Sequence, residues 1–201
     1  MKRILHISSS ILGDDSYSIK LAGKIIEKIQ AKYPGSTVEL LDLAKQEIPH
    51  LNPQSLPKLF APANTLSEAD AQSVQFAADF IQQLMAADII VIGAPLYNFS
   101  IPSTLKTWID HITRPGVTFG YGEDGRPVGL VTGKKVYIAM ASGGIYSEGP
   151  GKANDFVVPY LQAFLGFLGM TDLTAFRAEG LKIPGVQEHA MEKAVASIQI
   201  D

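Results

Sequence analysis

A doubly wound α/β fold, a mostly parallel sheet with helices on both faces, is predicted by three observations. Short apolar runs alternate along the chain with longer stretches in which apolar residues recur at helical spacing. The run Ile89-Ile90-Val91-Ile92 carries no polar alternation, which fits a strand covered on both faces. Five such core runs can be counted, the number that a sheet of order 2-1-3-4-5 requires.

Each element has its own signal. Ile4–Ile7 is the first strand, ended by Ser8-Ser9-Ser10, and Ile19, Ala22, Ile25, Ile26 and Ile29 then mark the first helix. Val38–Leu43 is the second strand. Residues 44 to 66, with Pro49, Pro53, Pro57 and Pro62, form a long excursion. Ser67 with Asp70 approximates a capping box for one amphipathic helix carrying Val74, Ala77, Ala78, Ile81, Leu84 and Met85. After the third strand comes a helix over Ser103 to Ile112, then a hairpin turning at Asp124-Gly125. Val136–Met140, Phe156–Leu168, Leu173–Phe176 and Val186–Ile200 complete the β-α-β-α series. The expected fold is therefore flavodoxin-like, a five-stranded parallel sheet in one domain spanning residues 1–201.

Composition removes several classes of function. The net charge of -3 and the lack of a Lys/Arg cluster argue against nucleic acid and against an anionic membrane surface. No cysteine is present, so thiolate catalysis, Cys-ligated metals and disulfides are excluded, and redox work needs an organic cofactor. His6, His50, His111 and His189 lack metal-ligand spacing, and His111 reads as a packing or surface residue. Pro159, Gln162 and Gly166 interrupt the longest apolar candidate, short of the roughly 20 residues a membrane span needs. The basic start is stopped by His6 and the serine run with no small-residue cleavage site, so the expected location is the cytoplasm.

In such a sheet, ligands bind beyond the carboxyl ends of the strands, where three segments converge: Ser8–Ser18, Ala94–Pro102 and Ala141–Gly144. "SSSILGDDSYS" is neither a G-x-G-x-x-G turn nor a Walker A loop. Its hydroxyls and free N–H groups at a helix start suit one phosphate monoester, or Ser16 or Ser18 is simply the N-cap. Asp14 and Asp15 oppose an anion unless they point into solvent. Tyr97 and Phe99 either plug the core or pack on a planar ring, whose polar edges the N–H groups of Asn98 and Phe99 can meet. Ala141-Ser142-Gly143-Gly144 is a bare turn or a close backbone approach to a ligand. Ser142 is no hydrolase elbow, because Met140 stands where Gly is needed.

Taken together, "SSSILGDDSYS", "APLYNFSIPSTLKTWID", "GVTFGYGEDG", "GLVTGKK" and "SGGIYSEGP" resemble the FMN-dependent NADH-azoreductases, a branch of the NAD(P)H:quinone oxidoreductases. The resemblance implies bound FMN, with NADH or NADPH as co-substrate and a quinone or azo compound as acceptor, in ping-pong hydride transfer. It implies phosphate contacts from Ser10, Ser16, Tyr17 and Ser18. Leu96, Tyr97, Asn98 and Phe99 would meet the isoalloxazine, and Ala141, Ser142, Gly143 and Gly144 its pyrimidine edge. No side chain is assigned as catalytic, because flavin N5 carries the hydride; Tyr146, where some relatives carry His, is the candidate proton donor. A flavodoxin-type electron carrier is the rival reading, and the modest net charge disfavours it.

A homodimer is also expected. Residues 156 to 170 are apolar on more than one stripe, so part of that surface needs a cover beyond the sheet. The excursion at 44 to 66 is the alternative cover. Phe119 and Tyr121, in the hairpin, read as lying far from the core, and the resemblance implies a pocket completed across a two-fold interface, with these two residues as candidates for its substrate side.

Overall fold

The computed structural model describes residues 1–61 and 65–201. Its strands are β1 (Arg3–Ser8), β2 (Thr37–Asp42), β3 (Ile89–Pro95), β4 (Phe119–Tyr121), β5 (Pro127–Gly129), β6 (Lys135–Ala141) and β7 (Asp172–Ala178). Five of them form one parallel sheet in the order β2-β1-β3-β6-β7, and β4 and β5 pair as a separate antiparallel hairpin. Discounting the hairpin, this is the 2-1-3-4-5 order. The helices are α1 (Tyr17–Lys32), α2 (Ser55–Phe60), α3 (Glu68–Ser73), α4 (Gln75–Ala86), α5 (Ser103–Ile112), α6 (Val158–Phe167) and α7 (Gln187–Ala196).

The two-residue period of each strand divides the interior into two cores. Ile90 and Ile92 join Leu5, Ile7, Val136 and Ile138 beneath α4, α5 and α6. Ile89 and Val91 join Ile4, Tyr137 and Ala139 against α1 and α7. Because it serves both layers, β3 is buried at all seven positions, whereas the first four residues of the edge strand β2 are exposed.

Four expectations need correction. The single helix read after Ser67 is two: Ser67 Oγ accepts the Asp70 N–H at 3.2 Å and caps α3, which ends at Val74 (φ -116°, ψ 15°) before α4 begins. Phe80 joins the buried stripe of Val74, Ala77, Ile81 and Leu84, which rotates Ala78 and Met85 outward. The excursion contains α2, and its Leu59 packs with Leu51 on Val74 and Ala77, so its described part covers the α3–α4 corner. Pro62 lies outside the described residues.

Phe119 is not remote from the core. It is 7% exposed and lies 4.8 Å from the Phe167 ring, while Tyr121 is 69% exposed. The cause is backbone: Val131 N–H donates to Leu168 O at 2.9 Å, which draws the hairpin onto the end of α6. His111 is fully a packing residue, 2% exposed with Nε2 2.8 Å from Pro49 O.

Candidate functional site

The carboxyl ends of β1, β3 and β6 surround a cavity of about 360 Å³. Of the residues proposed from sequence, Ser10, Ser16, Tyr17, Ser18, Leu96, Tyr97, Ala141, Ser142, Gly143, Gly144 and Tyr146 line it. Larger clefts lie against α7 (about 470 Å³) and beside Phe156 and Tyr160 (about 640 Å³). Convergence of three strand-end loops distinguishes the smaller cavity, since that is where a sheet of this order binds ligands.

The first wall is the start of α1. Ser16 caps the helix, its Oγ accepting the Ile19 N–H at 3.4 Å, and shares a hydrogen bond of 3.0 Å with Ser18 Oγ. The cap is thus real. It still leaves the N–H groups of Tyr17 and Ser18 without intrahelical acceptors, because the first turn of any helix does so. Ser9 Oγ donates to Gly93 O at 2.8 Å and Ser10 Oγ lies 3.2 Å from Tyr97 Oη, so the serine run is fastened to the end of β3. Asp14 and Asp15 are exposed in the turn before α1, though Asp15 also borders the cavity.

The second wall is the turn after β3. Tyr97 and Ser100 bond each other in both directions, at 2.9 and 3.0 Å, and the two residues between them are left-handed: Asn98 at φ 50° and Phe99 at φ 69°. Such a conformation costs about 1–2 kcal/mol per non-glycine residue. It persists because that bridge and the bond from Phe156 N–H to Phe99 O (3.3 Å) hold it from both sides. The turn's own bonds do not use the N–H groups of Asn98 and Phe99. Phe99 is half exposed, and its ring meets Tyr146 edge-on at 6.3 Å.

The third wall follows β6. Carbonyls of Ser142, Gly143 and Gly144 accept N–H groups of Leu181, Lys182 and Gly180 at 3.2, 3.0 and 2.9 Å. In a trans peptide the next N–H points opposite to the carbonyl, so those of Gly143, Gly144 and Ile145 face away from residues 180 to 182. A Cβ on Gly143 would come within 3.3 Å of the Lys182 chain, and glycine leaves that room.

Sequence reasoning missed Leu12, Pro95, Leu181 and Lys182 in the lining. Leu181 and Lys182 lie beyond the end of β7, and only the bonds to residues 142 to 144 bring them here. Asn98 borders the neighbouring groove, and Phe119 and Tyr121 do not line the cavity within one chain.

The donor set fits FMN. Hydroxyls and open amides at the α1 end match a phosphate monoester, an aromatic wall matches a planar ring, and glycine-flanked amides match carbonyl and ring-nitrogen acceptors.

A family model described as a flavodoxin-like fold matches residues 2–200. The chain is 49% identical over 181 residues to the FMN-dependent NADH:quinone oxidoreductase of Herminiimonas arsenicoxydans, covering 90% of this chain and 88% of that one. The crystal structure of an azoreductase from Bacillus anthracis superposes with a TM-score of 0.88 at 32% identity, covering 98% and 96% of the two chains. An FMN-dependent NADH-azoreductase of the same organism, solved in complex with FMN, gives 0.84 at 29%, covering 98% and 97%.

Proposed function

Since this chain belongs to the FMN-dependent NADH:quinone oxidoreductases of flavodoxin-like fold, we propose that the cavity at the ends of β1, β3 and β6 is where its FMN sits and its substrates react. The chain is an FMN-dependent oxidoreductase that uses NADH to reduce quinones and azo compounds. The observation that carries the site is the meeting, in one cavity, of serine hydroxyls with the open N-terminus of α1, an aromatic turn and a glycine-flanked loop.

Bound FMN supplies a centre that accepts two electrons from one substrate and delivers them to the next. The chain's own work is to bind and orient. Ser10, Ser16 and Ser18 with the amides of Tyr17 and Ser18 hold the phosphate; Leu96, Tyr97, Asn98 and Phe99 carry the ring; Ala141, Ser142, Gly143 and Gly144 lie along its pyrimidine edge. Amides fixed by outward carbonyl bonds stabilise negative charge at that edge without reorganising, as oxyanion holes do. Tyr146 borders the cavity and is the nearest candidate to hold a proton for a reduced acceptor.

The same reading takes the working unit to be a homodimer. The groove of about 640 Å³ lined by Tyr97, Asn98, Phe156 and Tyr160 leaves apolar surface open beside the cavity, and the exposed Tyr121 ring adds to the surface that a second copy would cover. One sheet layer joins Ile4 to Ile198 and the other Leu5 to Met170, which supports one domain over residues 1–201. The cytoplasm, where NADH is available, is the inferred location; NADPH as an alternative donor is decided by turnover with each nucleotide.

The test is direct. Purified protein should carry flavin absorbance, release FMN on denaturation, and show parallel double-reciprocal lines when quinone is varied at several NADH concentrations. Intersecting lines would oppose one shared pocket. Absence of steady-state turnover with retained flavin would favour an electron carrier.

A further inference from the structure

Beside the cavity, a cluster of buried charge reaches two of its walls. Arg177, on β7, places Nη2 2.6 Å from Asp155 Oδ2 and Nη1 3.4 Å from Glu179 Oε1, and the three side chains are 20%, 5% and 11% exposed. Both carboxylates in turn hold backbone. Asp155 Oδ1 accepts the N–H groups of Val157 and Val158 at 3.1 and 3.3 Å, at the start of α6. Glu179 Oε1 accepts the Tyr146 N–H at 2.9 Å. The two holdings meet at Phe99, whose carbonyl accepts the Phe156 N–H and whose ring packs edge-on against Tyr146.

We infer that Arg177 is a positioning residue which fixes the spacing of Phe99 and Tyr146 at the cavity mouth, and thereby sets how well a fused-ring acceptor is gripped. The inference rests on the oxidoreductase reading above. Two carboxylates around one guanidinium leave a surplus negative charge, and the three backbone N–H groups they accept offset it. The planar fork of arginine can serve two carboxylates at once; an ammonium is a point charge and holds that geometry less well. Without a cation here, two buried carboxylates face each other across one site, and their repulsion drives apart the segments they hold. That movement loosens the Phe99–Tyr146 pair. Phosphate contacts at the start of α1 lie outside this network and stay intact, so holoprotein is prepared with FMN in excess to offset any loosening of Phe99 on the ring.

The test compares Arg177→Met, Arg177→Lys and Glu179→Gln. Gln keeps an oxygen to accept the Tyr146 N–H, so Glu179→Gln separates hydrogen bonding from charge. In Arg177→Met holoprotein, the KM for a two-ring naphthoquinone should rise about tenfold while that for a one-ring benzoquinone and both kcat values change by less than about threefold. Arg177→Lys should fall between Met and the parent chain, and Glu179→Gln should stay close to the parent. A second readout needs no turnover: in FMN-free protein, hydrogen exchange at the Tyr146 and Phe156 amides should accelerate about tenfold in Arg177→Met and little in Glu179→Gln. If Arg177→Met does not fold, the Lys and Gln variants carry the same comparison. Unchanged amide exchange and an unchanged ratio of the two KM values in folded Arg177 variants would overturn the inference. A parent chain that binds no FMN or reduces no quinone would instead refute the oxidoreductase reading, and the exchange measurement would still judge Arg177.

Discussion

The hydroxyl oxygens of Ser10 and Tyr97 lie 3.2 Å apart, although 87 residues separate them in the chain. The contact joins the loop after β1 to the turn after β3, so two walls of the cavity are braced before any ligand arrives. Tyr97→Phe keeps the ring and loses the bond. The FMN-free protein should lose about 0.5–1.5 kcal/mol of stability, read from urea unfolding midpoints at constant slope. No change would mean that water replaces the contact without cost.

Ser16 and Ser18 are assigned two duties, and a double replacement separates them. Loss of the Ser16 cap should cost about 1 kcal/mol of fold stability. Loss of hydroxyl contacts to a phosphate dianion should weaken FMN by about 1.5–3 kcal/mol per bond, with riboflavin affinity nearly constant. Titration of Ser16→Ala/Ser18→Ala protein with both flavins decides the matter. Equal losses for the two would leave these serines as caps alone.

Gly129 on β5 has no room for a methyl group. An added Cβ would lie 2.1 Å from the backbone nitrogen of Gly169, itself at φ 103°, and backbone cannot rotate aside as a side chain can. Gly129→Ala should therefore cost at least the roughly 1–3 kcal/mol of an overpacked site. Thermal unfolding checks this; a variant as stable as the parent would show that the hairpin is free to lift from α6.

His6 on β1 is buried beneath α1, and loss of solvation lowers its pKa from 6.5, opposed by the nearby Asp42 carboxylate. The unfolded chain therefore accepts this proton at a higher pH than the folded one. The contribution to stability is full above about pH 6.5 and is lost as pH falls from there through the lower, folded value. His6→Gln cannot take up the proton. Urea midpoints at pH 7.5 and 5.5 should converge more in the variant than in the parent, and identical pH dependence in both would discard the assignment.

The dimer is tested by sedimentation of holoprotein at low micromolar concentration. The mass should be twice that of the 21.6 kDa chain, with an interface burying more than roughly 1,000 Å². A fully active monomer would refute both the dimer and a pocket shared between chains.

What was legible in the sequence follows from how local each signal is. The runs around Ile7, Ile92 and Ile138 announce strands because both faces of the sheet are covered, so apolar residues fill both faces, His6 being the exception in the first. The serine loop, the Tyr97–Phe99 turn and the Ser142–Gly144 loop could be named because chemistry and strand ends coincide there. The break at Val74 was hidden because no Gly or Pro marks it and the apolar phase continues from Ala77 to Leu84. Phe119 was misjudged because its burial depends on a hydrogen bond from Val131 to Leu168, beyond any local pattern. The same holds for Lys182 in the lining and for Arg177 between its carboxylates. Arg177 meets Asp155, 22 residues away, through the fold and not through any local pattern.

The outward commitment of the Ser142, Gly143 and Gly144 carbonyls makes this stretch of backbone one-signed toward the cavity. It presents donors and no acceptors, and rotating a peptide to reverse that sign would break a bond to residues 180 to 182. Ring atoms bearing lone pairs are matched there, whereas a ring N–H, such as the one between the two carbonyls of a flavin's pyrimidine edge, has to meet its acceptor outside this loop or stay unpaired at about 1–3 kcal/mol. The loop therefore acts as a filter on hydrogen-bond polarity rather than on size, and does so with no side chain for a substitution to remove.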